Sequence, residues 1–177
     1  MEYSDFELVR GIKNGDKSAL DILVRRWYPR IYRYVFKLVE HEQDAYDITQ
    51  DVFIAMMQNM KGYHPWKKFD SWIFTIAHNK CMDYFRMQKR IVQEEAIEFD
   101  HLSSVPSLDE AVTISVAVKD ALGQLPAIQR EAIILHYFQQ FTAKEISHMT
   151  NTPLPTIKSR LSTAKKTLFK YLREDFQ

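Results

Sequence analysis

Residues 141–172, FTAKEISHMTNTPLPTIKSRLSTAKKTLFKYL, hold two helical patterns divided by a short interruption at Asn151–Pro153. In the first pattern Ile146 and Met149 fall inward. Asn is the commonest non-glycine residue at positive φ, which a tight turn between helices often demands. The second pattern sets Ile157, Leu161, Ala164 and Leu168 at i, i+4, i+7 and i+11, one apolar stripe. Pro155 and Thr156 open it, Ser159, Ser162, Thr163 and Lys166 lie opposite the stripe, and Lys158 and Arg160 flank it. From Asn151 to Arg173 there are six basic residues and no acid. That is the shape and charge of a helix entering a major groove: small hydroxyl side chains allow close approach, and cations reach phosphates and base edges. By pattern alone an amphipathic helix with a solvated lysine face is the commoner case. The paired helices, the short turn and the acid-free strip favour DNA.

The rest of the chain is helical in composition too. Only 4 glycines and 6 prolines occur in 177 residues, few for a protein rich in tight turns. Apolar residues make up 46%, enough for real cores, and no apolar run approaches the roughly 20 residues of a spanning helix. MEYSDFELVR, at the start, lacks the basic and hydrophobic segments of a secretion signal, so the expected location is cytoplasmic. A lone Cys81 excludes an internal disulfide and a cysteine-based zinc cluster. Net charge is only +1. Proteins that bind duplex DNA unaided usually carry a clear basic excess, so here something else must help hold the DNA.

The periodicity predicts an all-α protein of two small domains. Residues 1–90 form the first, with helices through Leu8 and Ile12, through KSALDILVRRW and IYRYVFKLVE with a kink or break at Pro29, from about Glu42 to Met60, and from about Phe69 to Arg90. Between Gln93 and Glu110 stand six acids and no lysine or arginine, with Ser103, Ser104, Pro106 and Ser107 opposing a helix. Residues 91–107 therefore read as an acidic flexible linker. The second domain, 108–177, is expected to hold helices near Asp109–Leu122, Pro126–Phe138, Thr142–Thr150 and Pro155–Leu172.

Two segments of the first domain carry chemistry. In DAYDITQDVFIAMMQ (44–58), Ala45, Ile48, Val52 and Met56 form the inward stripe, while Asp44, Asp47, Asp51 and Gln58 share another. Asp47 and Asp51 are a like-charge i, i+4 pair with no basic residue nearby in sequence, a mildly unfavourable arrangement. It is either a solvated acidic face, with Asp44 favouring the helix N-terminus, or a surface for a basic partner. In KGYHPWKKFDSWIFTIAHNKCMDYFRMQKR (61–90), Tyr63, Trp66, Phe69, Trp72 and Phe74 are interleaved with or followed by Lys67, Lys68, Lys80, Arg86, Lys89 and Arg90. Aromatic faces stack on unpaired bases and cations hold the backbone, so the composition suits single-stranded DNA. Phe74 is expected in the core. Tyr63, in a Gly/Pro loop, is harder to place there. Trp72, Thr75, Asn79, Asp83, Arg86 and Arg90 project away from the buried stripe.

These motifs resemble a known family. Glu145–Ile146 followed by TIKSRL (156–161) and AKK (164–166) resembles region 4 of sigma factors, which reads the minus-thirty-five promoter element. Thr150 and Asn151 stand where that family typically has Leu and Gly, and Ser162 and Thr163 replace bulkier or basic residues. Asp47, Gln50, Asp51 and Phe53 match region 2, with Tyr46 departing from the usual acid. Residues 61–90 resemble the promoter-melting segment along their whole length. Possession of regions 2 and 4 alone is similar to the extracytoplasmic-function group.

The resemblance implies that Asp47, Gln50, Asp51 and Phe53 meet the β′ clamp helices of core RNA polymerase, with the β flap as a further contact. It implies minus-ten DNA contacts from Tyr63, Trp66, Lys67, Trp72, Asn79 and Arg86, the loop holding an extruded base. It implies minus-thirty-five contacts from Pro155, Thr156, Lys158, Ser159, Arg160, Ser162, Thr163 and Lys166. An anti-sigma factor, often membrane-bound in this group, is the remaining partner. No cofactor, metal, small-molecule substrate or enzymatic activity is expected: the six histidines show no ligand spacing and no phosphate-binding glycine loop occurs. The alternative is a helix-turn-helix regulator with an N-terminal sensor domain, which would bind paired half-sites by itself.

Overall fold

A computed structural model describes residues 3–64, 68–94 and 116–174. The chain divides into two compact units, residues 1–97 and 98–177, and the described residues of both are helical.

In the first unit α1 (Asp5–Lys13), α2 (Lys17–Val39), α3 (Glu42–Asn59) and α4 (Phe69–Glu94) pack around one core, with a 3₁₀ turn at Met60–Gly62 after α3. Each start has a chemical cause. The Ser4 hydroxyl accepts from Glu7 N while the Glu7 carboxylate accepts from Ser4 N, a reciprocal capping box that begins α1. Asp16 accepts from Ser18 N at 2.8 Å and Ala19 N at 3.2 Å, satisfying first-turn donors of α2. Between α1 and α2, Gly15 takes φ +89, where a side chain would be strained. Leu23, Ile31, Tyr34 and Leu38 of α2 meet Ala45, Val52 and Met56 of α3 and Ile73, Phe74 and Cys81 of α4 in a fully buried interior. Truncating a residue such as Leu23 to Ala would cost about 2–5 kcal/mol.

Of the kink or break expected at Pro29 there is no break: α2 runs on through it. Pro29 is exposed, and buried Leu23, Trp27, Ile31 and Tyr34 anchor the same face on both sides of it, so packing outweighs the one backbone bond that proline forfeits. α4 also continues past Arg90 to Glu94, so the helix extends into the stretch expected to be linker. The remainder of that stretch lies outside the described residues.

In the second unit α5 (Val116–Gly123), α6 (Ala127–Ile133) and α7 (Ala143–Met149) pack on α8 (Leu154–Glu174). α5 is described only from Val116, so the beginning of the helix expected from Asp109 lies outside the described residues. The expected helix to Phe138 changes character at its end: Ile134–Phe138 widens to a π turn, with Gln139 N bonded to Ile134 O at 3.1 Å. Buried Arg130 donates to the carbonyls of Gly123 (3.0 Å) and Leu125 (3.2 Å), tying α6 to the turn that precedes it. Among the described residues no helix is long and apolar enough to cross a membrane.

Candidate nucleic-acid interface

The helix-turn-helix follows from local hydrogen bonding. Thr142 and Glu145 form a second capping box at the start of α7. After α7, Asn151 takes φ +46, as its residue type predicted. Ser147 Oγ donates to Thr152 O at 2.6 Å, and Thr152 N donates back to Ser147 O at 3.0 Å, closing the turn. Ile157, Leu161 and Ala164 are buried and Leu168 is half-buried, as the stripe required. Pro155, Thr156, Lys158, Ser159, Ser162, Thr163 and Lys166 are exposed; Arg160 is half-buried at the flank. α8 thus presents a continuous face of small hydroxyls and cations, with its positive helix pole at the turn.

On α3 the inward stripe is as expected, and Thr49 joins it by donating to Ala45 O at 2.7 Å. Asp47, Gln50 and Asp51 are exposed. Among the described residues neither Asp47 nor Asp51 forms an ion pair; Asp47 accepts only from Gln43 Nε2, at 3.2 Å. Asp44 differs from these two acids, because Tyr84 and His41 both engage it. Phe53 is 6% exposed and stacks on Tyr28 with ring centroids 5.7 Å apart, so it supports the acidic face from beneath and does not line it. Sequence reasoning missed Ile54 and Met57, exposed by 46% and 45% at the side of that face. Ile54 follows Asp47 by seven residues, two helical turns, and that spacing was the available signal.

The loop and α4 give a mixed result. Tyr63 is 5% exposed: its ring packs 4.5 Å from Trp72 and 5.8 Å from Phe69, and burial pushes its phenol pKa up. The expectation that Tyr63 resists a core position is therefore corrected, because the loop folds its ring into an aromatic cluster that Trp27 extends through Phe69 at 5.4 Å. Trp72 is half-buried in the same cluster. Phe74 is buried, as expected. Asn79 and Arg86 are exposed, and Arg86 pairs with Asp83 at 3.1 Å. Both partners of that pair are largely in water, so it contributes little and competes weakly with a phosphate. Trp66 and Lys67 lie outside the described residues. The other contact that sequence reasoning missed comes from α1: Lys13 Nζ donates to Tyr63 O at 2.6 Å and to Lys61 O at 3.4 Å.

The two units thus define a helix-turn-helix protein with an added helical bundle. The family model described as Sigma-70 region 2 matches residues 23–91, and the one described as Sigma-70, region 4 matches residues 115–168. The chain is 25% identical to the ECF RNA polymerase sigma factor SigW of Bacillus subtilis, over 98% of this chain and 100% of that one. It is 27% identical to the RNA polymerase sigma-H factor of Pseudomonas aeruginosa, over 96% and 94%. Among solved structures it is similar to the sigma factor RpoE of Bartonella quintana, seen in complex with the anti-sigma factor NepR. There the TM-score is 0.73 at 25% identity, covering 85% of this chain and 94% of that one. The chain belongs to the sigma-70 family, in its extracytoplasmic-function group, and is a sigma factor of transcription initiation.

Proposed function

We propose that the protein binds core RNA polymerase through the first unit, with Asp47, Gln50 and Asp51 facing the β′ clamp helices and Ile54 and Met57 adding apolar contact. Like charges held unpaired on a helix are stabilised when a basic partner arrives, which supports this role for the acids. Polymerase then holds both units so that each meets one promoter element, with the β flap engaging the second. α8 enters the minus-thirty-five major groove: Lys158, Arg160 and Lys166 hold phosphates or base edges while Ser159, Ser162 and Thr163 allow close approach.

At the minus-ten element the cluster beneath Tyr63 shapes the loop that receives melted bases. Trp66 and Lys67 are proposed contacts on their sequence alone, and Trp72, Asn79 and Arg86 continue the contact along α4. An Asn side chain offers donor and acceptor together and reads a base edge. Stacking and phosphate contacts made only with unpaired DNA shift the duplex towards its open form. Nucleotide chemistry belongs to the polymerase. The structure of RpoE with NepR supports an anti-sigma factor as a further partner, one that keeps the protein from polymerase until a signal releases it.

The observation that carries this reading is the exposed, acid-free face of α8 on a chain whose net charge is only +1. Local charge suits a groove, yet the whole molecule lacks the phosphate attraction for tight independent binding. Run-off transcription with purified core polymerase over a genomic fragment library tests it. Transcripts that require this protein and share a two-part promoter are expected; a transcript set unchanged by the protein would overturn the reading.

A further inference from the structure

We propose that Lys13, the last residue of α1, is a positioning residue for the minus-ten loop. Its ammonium holds the backbone of residues 61–63 and so fixes where single-stranded DNA meets the bundle. The inference rests on the reading of that loop given above.

The geometry is specific. Lys13 Nζ lies 2.6 Å from Tyr63 O and 3.4 Å from Lys61 O, bridging about fifty residues of chain. Tyr63 is where the chain leaves the 3₁₀ turn for extended backbone, at ψ 130. Its N–H bonds back to Met60 O at 3.2 Å, its ring is locked between Trp72 and Phe69, and its carbonyl meets the lysine. A charged donor makes a stronger bond than a neutral amide, and the bond to Tyr63 O is partly buried, which limits competition from water. Residues 61–64 carry the chain from the 3₁₀ turn into extended backbone, and such a segment depends on specific contacts for one conformation.

α1 is itself rigidly placed, as a latch must be. Leu8 and Val9 are buried under α2. Arg26 of α2 grips Asp5 at 2.7 Å and Tyr3 O at 2.7 Å. A Cβ added to Gly11 would stand 3.1 Å from the Ala19 Cβ, so α1 lies closer to α2 than a side chain comfortably permits. That approach sets how far Lys13 reaches. α1 precedes residue 23, where the region 2 match begins, so the loop is shaped partly from outside the matched segment.

The test uses full-length wild type and the variants Lys13→Met, Lys13→Gln and Lys13→Arg. Each is assembled with core polymerase on a promoter recovered by run-off transcription. Core affinity, nuclease protection of the minus-thirty-five element in the closed complex, permanganate reactivity of minus-ten thymines and melting temperature are measured. Loss of the charged bond in Lys13→Met is expected to lower the open fraction about tenfold relative to closed complex. Core affinity and closed-complex protection stay at wild-type values, melting temperature falls by no more than the few degrees that one lost bond costs, Lys13→Gln falls between, and Lys13→Arg restores opening. Equal opening by Lys13→Met and wild type overturns the latch alone. A Lys13→Met defect of equal size in core affinity or closed-complex protection overturns it in favour of a general structural role. A wild-type holoenzyme that leaves the minus-ten thymines unreactive overturns the reading of the loop itself.

Discussion

The Tyr84 phenol on α4 donates to Asp44 Oδ2 on α3 at 2.7 Å, and the same oxygen lies 3.0 Å from His41 Nδ1. One carboxylate therefore ties the helix proposed to dock polymerase to the helix proposed to meet minus-ten DNA. Burial, then the bond to Asp44 and its charge, pushes the Tyr84 pKa up to about 12 from 10.0.

Tyr84→Phe should destabilise the first unit by about 1–2 kcal/mol, the net worth of a partly buried bond to a charged group. The folded state holds the phenolic proton more tightly than the unfolded chain does. This contribution is thus fully present below about pH 10 and is lost as pH rises towards about 12. Urea unfolding of both proteins across that range should show their difference shrinking, and a difference independent of pH would contradict the bond.

Reversing Asp47 and Asp51 to Lys should weaken core polymerase binding roughly tenfold or more, because a clamp surface that attracted the acids now repels. Far-ultraviolet circular dichroism should not change, since both side chains are exposed. Affinity measured by fluorescence anisotropy checks it, and unaltered affinity would remove this face from the interface.

Replacing Lys158 and Arg160 with Ala should reduce minus-thirty-five protection by the holoenzyme about tenfold or more and lower the salt dependence of binding by roughly two counter-ions. Quantitative footprinting at several salt concentrations reads both effects. Retained protection would argue against α8 as the recognition helix.

Asn151→Ala should cost about 1 kcal/mol, because the turn holds this residue at φ +46, where a β-carbon without a compensating side-chain amide is strained. Asn151→Gly should be tolerated. Thermal unfolding of the two variants distinguishes this backbone requirement from a side-chain role in DNA contact.

What was legible in the sequence was whatever periodicity encodes. The stripe Ala45, Ile48, Val52, Met56 and the stripe Ile157, Leu161, Ala164 are buried because helical spacing leaves them no alternative. Asn151 was legible because so few residues adopt its backbone conformation. The helix continues through Pro29 because a face anchored on both sides of it outweighs local propensity. Tyr63 misled because a loop residue's burial depends on partners elsewhere in the chain, here Phe69 and Trp72, and no periodicity reports that. Lys13 was invisible for the same reason: its acceptors are backbone carbonyls about fifty residues away, without a side-chain signature. The π turn at Ile134–Phe138 likewise has no marker in the helical spacing of its residues.

The proposed dependence of promoter binding on polymerase, with two modules that bind weakly alone, is tested by footprinting one recovered promoter with this protein, with core polymerase and with both together. The minus-thirty-five and minus-ten elements are expected to be protected only when both are present. Protection of paired half-sites by the purified protein without polymerase would contradict it.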